Sequence, residues 1–458
     1  MVSFSSLEFL FRFLPVFLMI YFVVPNKLKD IVLLIGSIIF YAVGEPVFIL
    51  ALAAATLMNY WMGTKMWKLN EGFQLSDWQK KRRKRCMIEA VVLDVAILAA
   101  FKGLAIFVDN RLLPMGLSFY IFKMISYQVD TLRREIWSKP KFQQAALYFT
   151  MFPQVVSGPI MRYNEGGFDG KREYGLQQFE EGFKLFVIGL GMKVLLADRL
   201  AILWNDLQMI GFQSISTPLA WFGAFGYSLR LYFDFWGYSL MASGLMVMLG
   251  FDFIENFDHP YASRSISEFY RRWHMTLGNW FRDYVYIPLG GSRCRKGRLI
   301  FNLAIVWLLT GIWHGNGLNY VIWGAVLGLL IILEKLFYGK ILNKVPVLGN
   351  IYLLAVIPLT WVIFAITDLQ QLGIYFGRLF PLTGGAGIAV NQQDIIKYSQ
   401  NYSVYFIAGI LLCIPAVSEF YKKHRNHPVI IMALVFIFWL SIYFLSSSAG
   451  NPFMYLNF

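Results

Sequence analysis

Charge is scarce in this 458-residue chain: Asp, Glu, Lys and Arg make up 15% of it, against about a quarter in an average soluble protein. A soluble chain of this length would divide into two or three domains, and the charge deficit argues against that class. Cysteine is scarcer still. Cys86, Cys294 and Cys413 are far apart and odd in number, so neither a disulfide framework nor a zinc spacing is present. No G-x-x-x-x-G-K-S/T loop occurs, which argues against a P-loop ATPase. A G-x-S-x-G nucleophile elbow and a His/Glu metal motif are also missing, and no resident metal is expected. Internal repeats and low-complexity tracts are absent. The N-terminus has neither a basic n-region nor a small-residue cleavage site, so residues 7–24 read as a first span that is retained.

What the chain does have is apolar surface. Hydrophobic residues reach 57% and aromatics 18%, and the mean hydropathy is +0.54. Apolar blocks fall at 7–24, 31–44, 46–64, 87–107, 113–130, 142–160, 180–197, 217–250, 299–316, 318–337, 351–367, 403–420 and 429–447. Many approach the roughly 20 residues needed to cross a bilayer as helix. The alternating ten-residue strands of a membrane β-barrel are not seen. The expectation is an all-α polytopic membrane protein, a single domain over 1–458, with about eleven or twelve crossings. Block 217–250, interrupted by Asp234 and Gly237, fits either two pieces or one long tilted helix.

The net charge of +14 would suggest nucleic acid in a soluble protein. Here the positive-inside rule accounts for it, and no nucleic-acid partner is expected. Residues 65–85 are strongly basic, as are 130–141, 263–272, 292–298, 335–344 and 421–427. These should face the cytoplasm. The weakly charged stretches 108–114 and 368–402 and the tail "SSSAGNPFMYLNF" should face outward, which places both termini outside. One segment breaks the alternation. "WHMTLGNWFRDYVYIPLGG" (273–291) is amphipathic and has basic loops on both sides. It should lie in the interface or dip in and return, which is tolerated where protein or a water-filled cavity covers the backbone. Residues 142–160, ending in "FPQVVSGPIMR", are a second re-entrant candidate, because Pro153, Gly158 and Pro159 break a helix. A cavity opening inward follows.

Ionisable residues inside apolar blocks are the candidate functional groups, since burying them is costly. His314 follows Thr310 by one helical turn and Trp307 by two, so the three share a face. At about 1.5 Å per residue it lies roughly 20 Å from the basic start of its helix. "GNG" at 315–317 should end that helix. His314 could be a general base or a core histidine satisfied by a neighbouring helix. His274 shares a face with Gly278, Phe281 and Arg282, while Trp273, Leu277 and Trp280 form another. It could line the cavity or be a polar side chain at the interface. Asp283 should pair with a nearby arginine. Asp234 has Arg230 at i−4 and is either half of a buried pair or, with Tyr238, part of a polar tunnel. His424 and His427 have metal-like spacing but no third ligand nearby, and read as a solvated loop. His259 reads as interfacial.

Five stretches carry a family resemblance: "FPQVVSGPIMRYNE" (152–165), "DFWGYSLMASGLMVMLGFDFIENFDHPYAS" (234–263), "SISEFYRRWHMTLGNWFRDYVYIPLGGSR" (265–293), "LLTGIWHGNGLNYVIWG" (308–324) and "NPFMYLNF" at the end. They resemble the membrane-bound O-acyltransferases (MBOAT), specifically the integral-membrane alginate O-acetyltransferase type. The match is loose over 1–140, carries the core motifs over 150–340 and continues with helices over 350–458. It implies helices around a central funnel or tunnel and acyl transfer from a thioester to a hydroxyl. His314, in the W-H-G motif, takes the catalytic role. His274, in R-W-H, lines the cytoplasmic part of the funnel and assists. Substrate or tunnel candidates are Asn316, Trp313, Thr310, Asn279, Trp280, Arg282, Asp283, Asp234 and Tyr238. An oxyanion donor is needed, with Asn316, a backbone N–H of 315–317 and His274 as alternatives. The resemblance implies no bound cofactor, only acetyl-CoA or another acyl thioester as donor substrate. It also implies a polysaccharide acceptor such as alginate, an extracytoplasmic acetyltransferase partner, contact with membrane lipid, and the inner membrane of a bacterium. Relatives that move D-alanine onto teichoic acid from an acyl carrier protein are the alternative within the family, although "IPLGGSR" favours the acetyl type. A transporter or flippase of a polar substrate is the alternative outside it. The second histidine that many relatives carry beyond W-H-G is missing.

Overall fold

The structure, a computed structural model, describes residues 3–69, 75–168, 172–381 and 390–447. The tail beyond 447 and parts of the 65–85 and 368–402 stretches lie outside the described residues. Every regular element described is helical, as the apolar composition requires, because a helix satisfies its own backbone N–H and C=O groups in lipid.

Five helices are long and apolar enough to cross a membrane: Asp77–Phe107, Lys296–His314, Leu318–Lys344, Pro346–Ala365 and Pro428–Ser447. A sixth candidate is the pair Asp394–Leu412 and Pro415–His424, bent by 73°. The chain is a multi-pass, all-α membrane protein. Fewer helices qualify by length and composition than the eleven or so expected, for physical reasons. Lys29–Gly44 has 16 residues, which gives about 24 Å of rise against a hydrocarbon core of about 30 Å. Block 142–160 divides into Phe142–Thr150 and the single turn Phe152–Val155, broken where Pro153 was expected to break it. Block 403–420 is not one straight helix. Pro415 opens a new helix and Ile414 before it is extended (φ −82°, ψ 122°), as the residue before proline prefers to be.

The described residues form two compact units. One comprises the described residues up to Phe186 together with Tyr238–Ile254, the other Val187–Gly237 and the described residues from Glu255 onward. In the first, Ser76 and Gln79 cap the 31-residue helix Asp77–Phe107 reciprocally. The basic run 80–85 therefore forms the opening turns of a span instead of a loop. Asp94, fully buried, accepts from Asn59 Nδ2 at 2.8 Å, and Gln128 Nε2 reaches Asn59 Oδ1 at 2.7 Å. Three helices are thus tied by one polar chain. Tyr238 stacks on Phe4 in this unit (centroids 5.0 Å apart, 13°).

Helix Thr217–Met248 runs unbroken for 32 residues, the single-helix alternative for block 217–250. Asp234 on it pairs with Lys193 at 2.8 Å, and Lys193 also bonds Asp198 at 2.7 Å. This corrects the partner suggested by the i−4 spacing: Arg230 lies over the Tyr227 ring instead. A lysine from the π-helical turn Met192–Ala197 reaches the carboxylate from another element, which spacing along one helix cannot reveal.

Candidate active site

The site is built from two helix breaks in the second unit. The first follows helix Ile266–Arg272. Ser265 caps that helix by accepting from Glu268 N–H. From a distant helix, the buried Glu334 carboxylate also accepts from the N–H groups of Ile266 (2.6 Å) and Ser267 (2.9 Å) and from Ser267 Oγ (2.6 Å). The helix stops at Arg272. Trp273 is extended, His274 turns left-handed (φ 46°), and the chain re-enters helix at Met275–Phe281. A π-helical turn, Arg282–Tyr286, follows. The 273–291 segment is therefore a chain of short bent pieces, too short to span.

The second break ends helix Lys296–His314. Gly315 is extended at φ 178°, and the helix ends there, as expected of "GNG". The need for glycine here is steric: a Cβ would collide with the Tyr320 ring. Helix Leu318–Leu333 then packs back. A Cβ on Gly311 would lie 2.5 Å from Tyr320 O, and one on Gly324 2.5 Å from Trp307 O, so the two backbones touch. Buried Asn319 donates to the Ile363 and Phe364 carbonyls (3.1 and 3.0 Å), which ties this hairpin to helix Pro346–Ala365. Sequence reasoning passed over Asn319. The available signal was a polar residue just after the glycine break.

Between the breaks lies a cavity of about 770 Å³. His274, Asn279 and Arg282 line it from one segment, and Thr310 and His314 from the other. Arg271, Lys335 and Lys340 also line it and are exposed, whereas His274 and His314 are only 3% and 4% exposed. The cavity thus has a basic mouth and two buried imidazoles in its wall. Leu303, Val306, Trp307, Thr310 and His314 all line it, one helical face. Trp273 and Leu277 line it alongside Gly278 and Phe281, whereas Trp280 does not; Leu277, Gly278 and Phe281 share one face of the helix that restarts at Met275. His314 is packed edge-on against Trp323 (5.0 Å, 90°) and Phe364 (5.3 Å, 82°). Burial pushes the His274 imidazole down to about 3, so it is neutral at physiological pH.

The other candidates lie elsewhere. Trp313 packs edge-on against His314 (4.6 Å, 61°) without lining the cavity. Trp280 packs on Phe281 and Tyr284. Asp283 pairs with Arg282 at 2.7 Å, the arginine pairing expected for it. Asn316 is exposed. Asp234 is held by Lys193, and neither it nor Tyr238 is among the residues lining this cavity. Their periodicity placed them in apolar helices but could not say which helices meet. His259 is buried beside Trp236.

Glu334 is the residue sequence reasoning missed most plainly, submerged among the basic residues that follow it. Glu334→Gln should lower stability by about 1–3 kcal/mol, because one acceptor oxygen becomes an NH2 facing backbone N–H groups. Thermal unfolding of the detergent-solubilised protein measures this.

Residues 40–369 match the model of the membrane-bound O-acyltransferase family. The chain belongs to that family. This acyltransferase is 34% identical to the "Probable alginate O-acetylase AlgI" of Pseudomonas putida, over 99% of its own length and 100% of the relative's. It is 26% identical to the peptidoglycan O-acetyltransferase of Helicobacter pylori, over 99% and 97%. It is 27% identical to the teichoic acid D-alanyltransferase of Bacillus subtilis, over 47% and 57%. The family match covers both helix breaks, so the cavity with two buried histidines belongs to an acyltransferase.

Proposed function

We propose that this acyltransferase O-acetylates an exported cell-surface polysaccharide such as alginate, with a cytoplasmic acetyl thioester, acetyl-CoA, as donor. The observation that carries this reading is the single cavity joining an exposed basic mouth to buried His274 and His314. Phosphates of the donor suit Arg271, Lys335 and Lys340 at the mouth, and the acetyl group is presented inward. His314 takes the proton from an acceptor hydroxyl, whose oxygen attacks the thioester carbonyl. The C–S bond breaks, and the proton passes from the imidazolium to the leaving thiolate. Of the three oxyanion-donor candidates, Asn316 is exposed. The neutral His274 ring places Nδ1 against an acceptor, Asn256 Oδ1. The N–H groups of 315–317 are the remaining candidate. The acceptor hydroxyl belongs to the polysaccharide or to an extracytoplasmic acetyltransferase partner that passes the group on. The protein sits in the inner membrane of a bacterium with its basic loops inside and both termini outside.

Similarity to alginate O-acetylases over nearly the whole chain, against half the chain for the D-alanyltransferase, favours acetyl over D-alanyl transfer. Protein in vesicles supplied with acetyl-CoA should release free CoA thiol together with an acetylated acceptor. Movement of a polar lipid-linked substrate without CoA release would identify a flippase instead, and turnover only with an aminoacyl carrier protein would identify the D-alanyl alternative. The mouth makes a further prediction. Lys335→Glu combined with Lys340→Glu should raise KM for acetyl-CoA roughly tenfold with kcat little changed, and should blunt the salt dependence of KM.

A further inference from the structure

His274 is held in a left-handed conformation, φ 46°, that a non-glycine residue seldom adopts. The restraint comes from the stretch around Asn256. Asp258 N–H donates to Arg272 O, and Met275 N–H to Asn256 O, both at 2.9 Å, so two backbone bonds bracket the turn. The Asn256 side chain reaches into it as well. Its Oδ1 accepts from Thr276 N–H (3.2 Å) and Thr276 Oγ1 (2.9 Å) and lies 3.1 Å from His274 Nδ1. A backbone N–H can only donate, so the Asn256 atom it meets is the amide oxygen and not the nitrogen. An oxygen that only accepts requires a proton on the imidazole nitrogen facing it. In the neutral ring the lone pair is then left on Nε2. That nitrogen is buried and has no hydrogen-bond partner among the described residues. The Phe235 ring packs edge-on at 4.6 Å and offers no strong donor. Asn256 and His274 are each 3% exposed, so bulk water does not compete for these bonds.

We propose that Asn256 is a positioning residue that locks His274 as the Nδ1–H tautomer, so that Nε2 serves the cavity as a hydrogen-bond acceptor. The ligand group it takes is an N–H or O–H of a bound substrate. His274 is thereby an acceptor in the reaction and not an oxyanion donor. The inference rests on the acyl-transfer reading of the cavity for its role, but not for the tautomer itself.

The test is nitrogen-15 NMR of the full chain in lipid nanodiscs with ring-labelled histidine, the His274 signals being identified by their loss in His274→Gln. The expected result is a protonated Nδ1 and an unprotonated Nε2. Asn256→Asp, which keeps an acceptor oxygen, should leave Nδ1 protonated. Thr276→Val, which removes another donor to the same oxygen, should leave the ring unchanged. Asn256→Leu should release the ring to a mixture of tautomers and lower kcat roughly 10–100-fold, with Asn256→Asp restoring most of it. A proton on Nε2 in the unmodified protein, or an unaltered ring in a folded Asn256→Leu, overturns the assignment. The unmodified measurement stands even if the leucine variant does not fold. Absence of CoA release by the unmodified protein, with the tautomer as expected, would instead overturn the acyl-transfer reading.

Discussion

His314→Ala should lower acetyl transfer by about 10²–10⁴-fold, the usual contribution of a general base, while CoA release falls in step. The argument is geometric. His314 is the last residue of its helix, lines the cavity and is braced by Trp323 and Phe364, so its ring has little freedom to point elsewhere. Alanine also leaves a hole among those aromatics, at a cost of a few kcal/mol. His314→Gln separates the two effects: it retains much of the volume and a polar end but cannot take up the proton. Both variants should insert in the membrane, and the glutamine variant should unfold near the temperature of the unmodified protein. Near-full activity in either correctly inserted variant would remove His314 from the chemistry.

Gly324→Leu should have the largest structural effect of any single change in the hairpin that carries His314. A Cβ there meets Trp307 O at 2.5 Å and Gly311 Cα at 3.1 Å, and both are backbone atoms that cannot swing aside. The two helices must separate or slide. Overpacking of this kind costs about 1–3 kcal/mol, and occasionally more. Because His314 ends one of these helices, a displacement near 1 Å should also cost roughly a hundredfold in kcat. Thermal midpoint and CoA release measured on the same preparation should fall together. Gly324→Ala should fall between leucine and the unmodified protein. Gly373→Ala is the control, because nothing lies within 4 Å of a Cβ there, and it should be silent in both measurements. A stable, active Gly324→Leu would mean that the backbones do not touch at this crossing.

Much of the site was legible in sequence because helical spacing is local. Trp307, Thr310 and His314 recur every three to four residues and must share a face, and they line one cavity. The irregularity of 273–291 was legible as well, from basic flanks and mixed polarity that no straight span would carry. Asp234 and Tyr238 are not among the residues lining this cavity, for the converse reason. Their helix was read correctly, but a helix has several faces, and the neighbour met by each depends on residues far away in the chain. Lys193 and Phe4, which contact them, lie 41 and 234 positions away by number. Glu334 and Asn256 were missed similarly, since each acts on the 265–276 stretch from outside it.

The sequence by itself determined that this is an all-helical chain of the membrane. Too little charge and too much apolar surface leave no soluble alternative, and backbone polarity in lipid leaves only helices once barrels are set aside. It also determined the breaks at Pro153 and after His314, because proline and glycine act through local sterics; the break at His274 carries neither residue. Only the tertiary structure decided that the breaks at His274 and at Gly315 border one cavity, that basic side chains stand at its mouth above two buried imidazoles, and that Asn256 faces His274 Nδ1. Those are relations between segments set by packing, and no period within a segment encodes them.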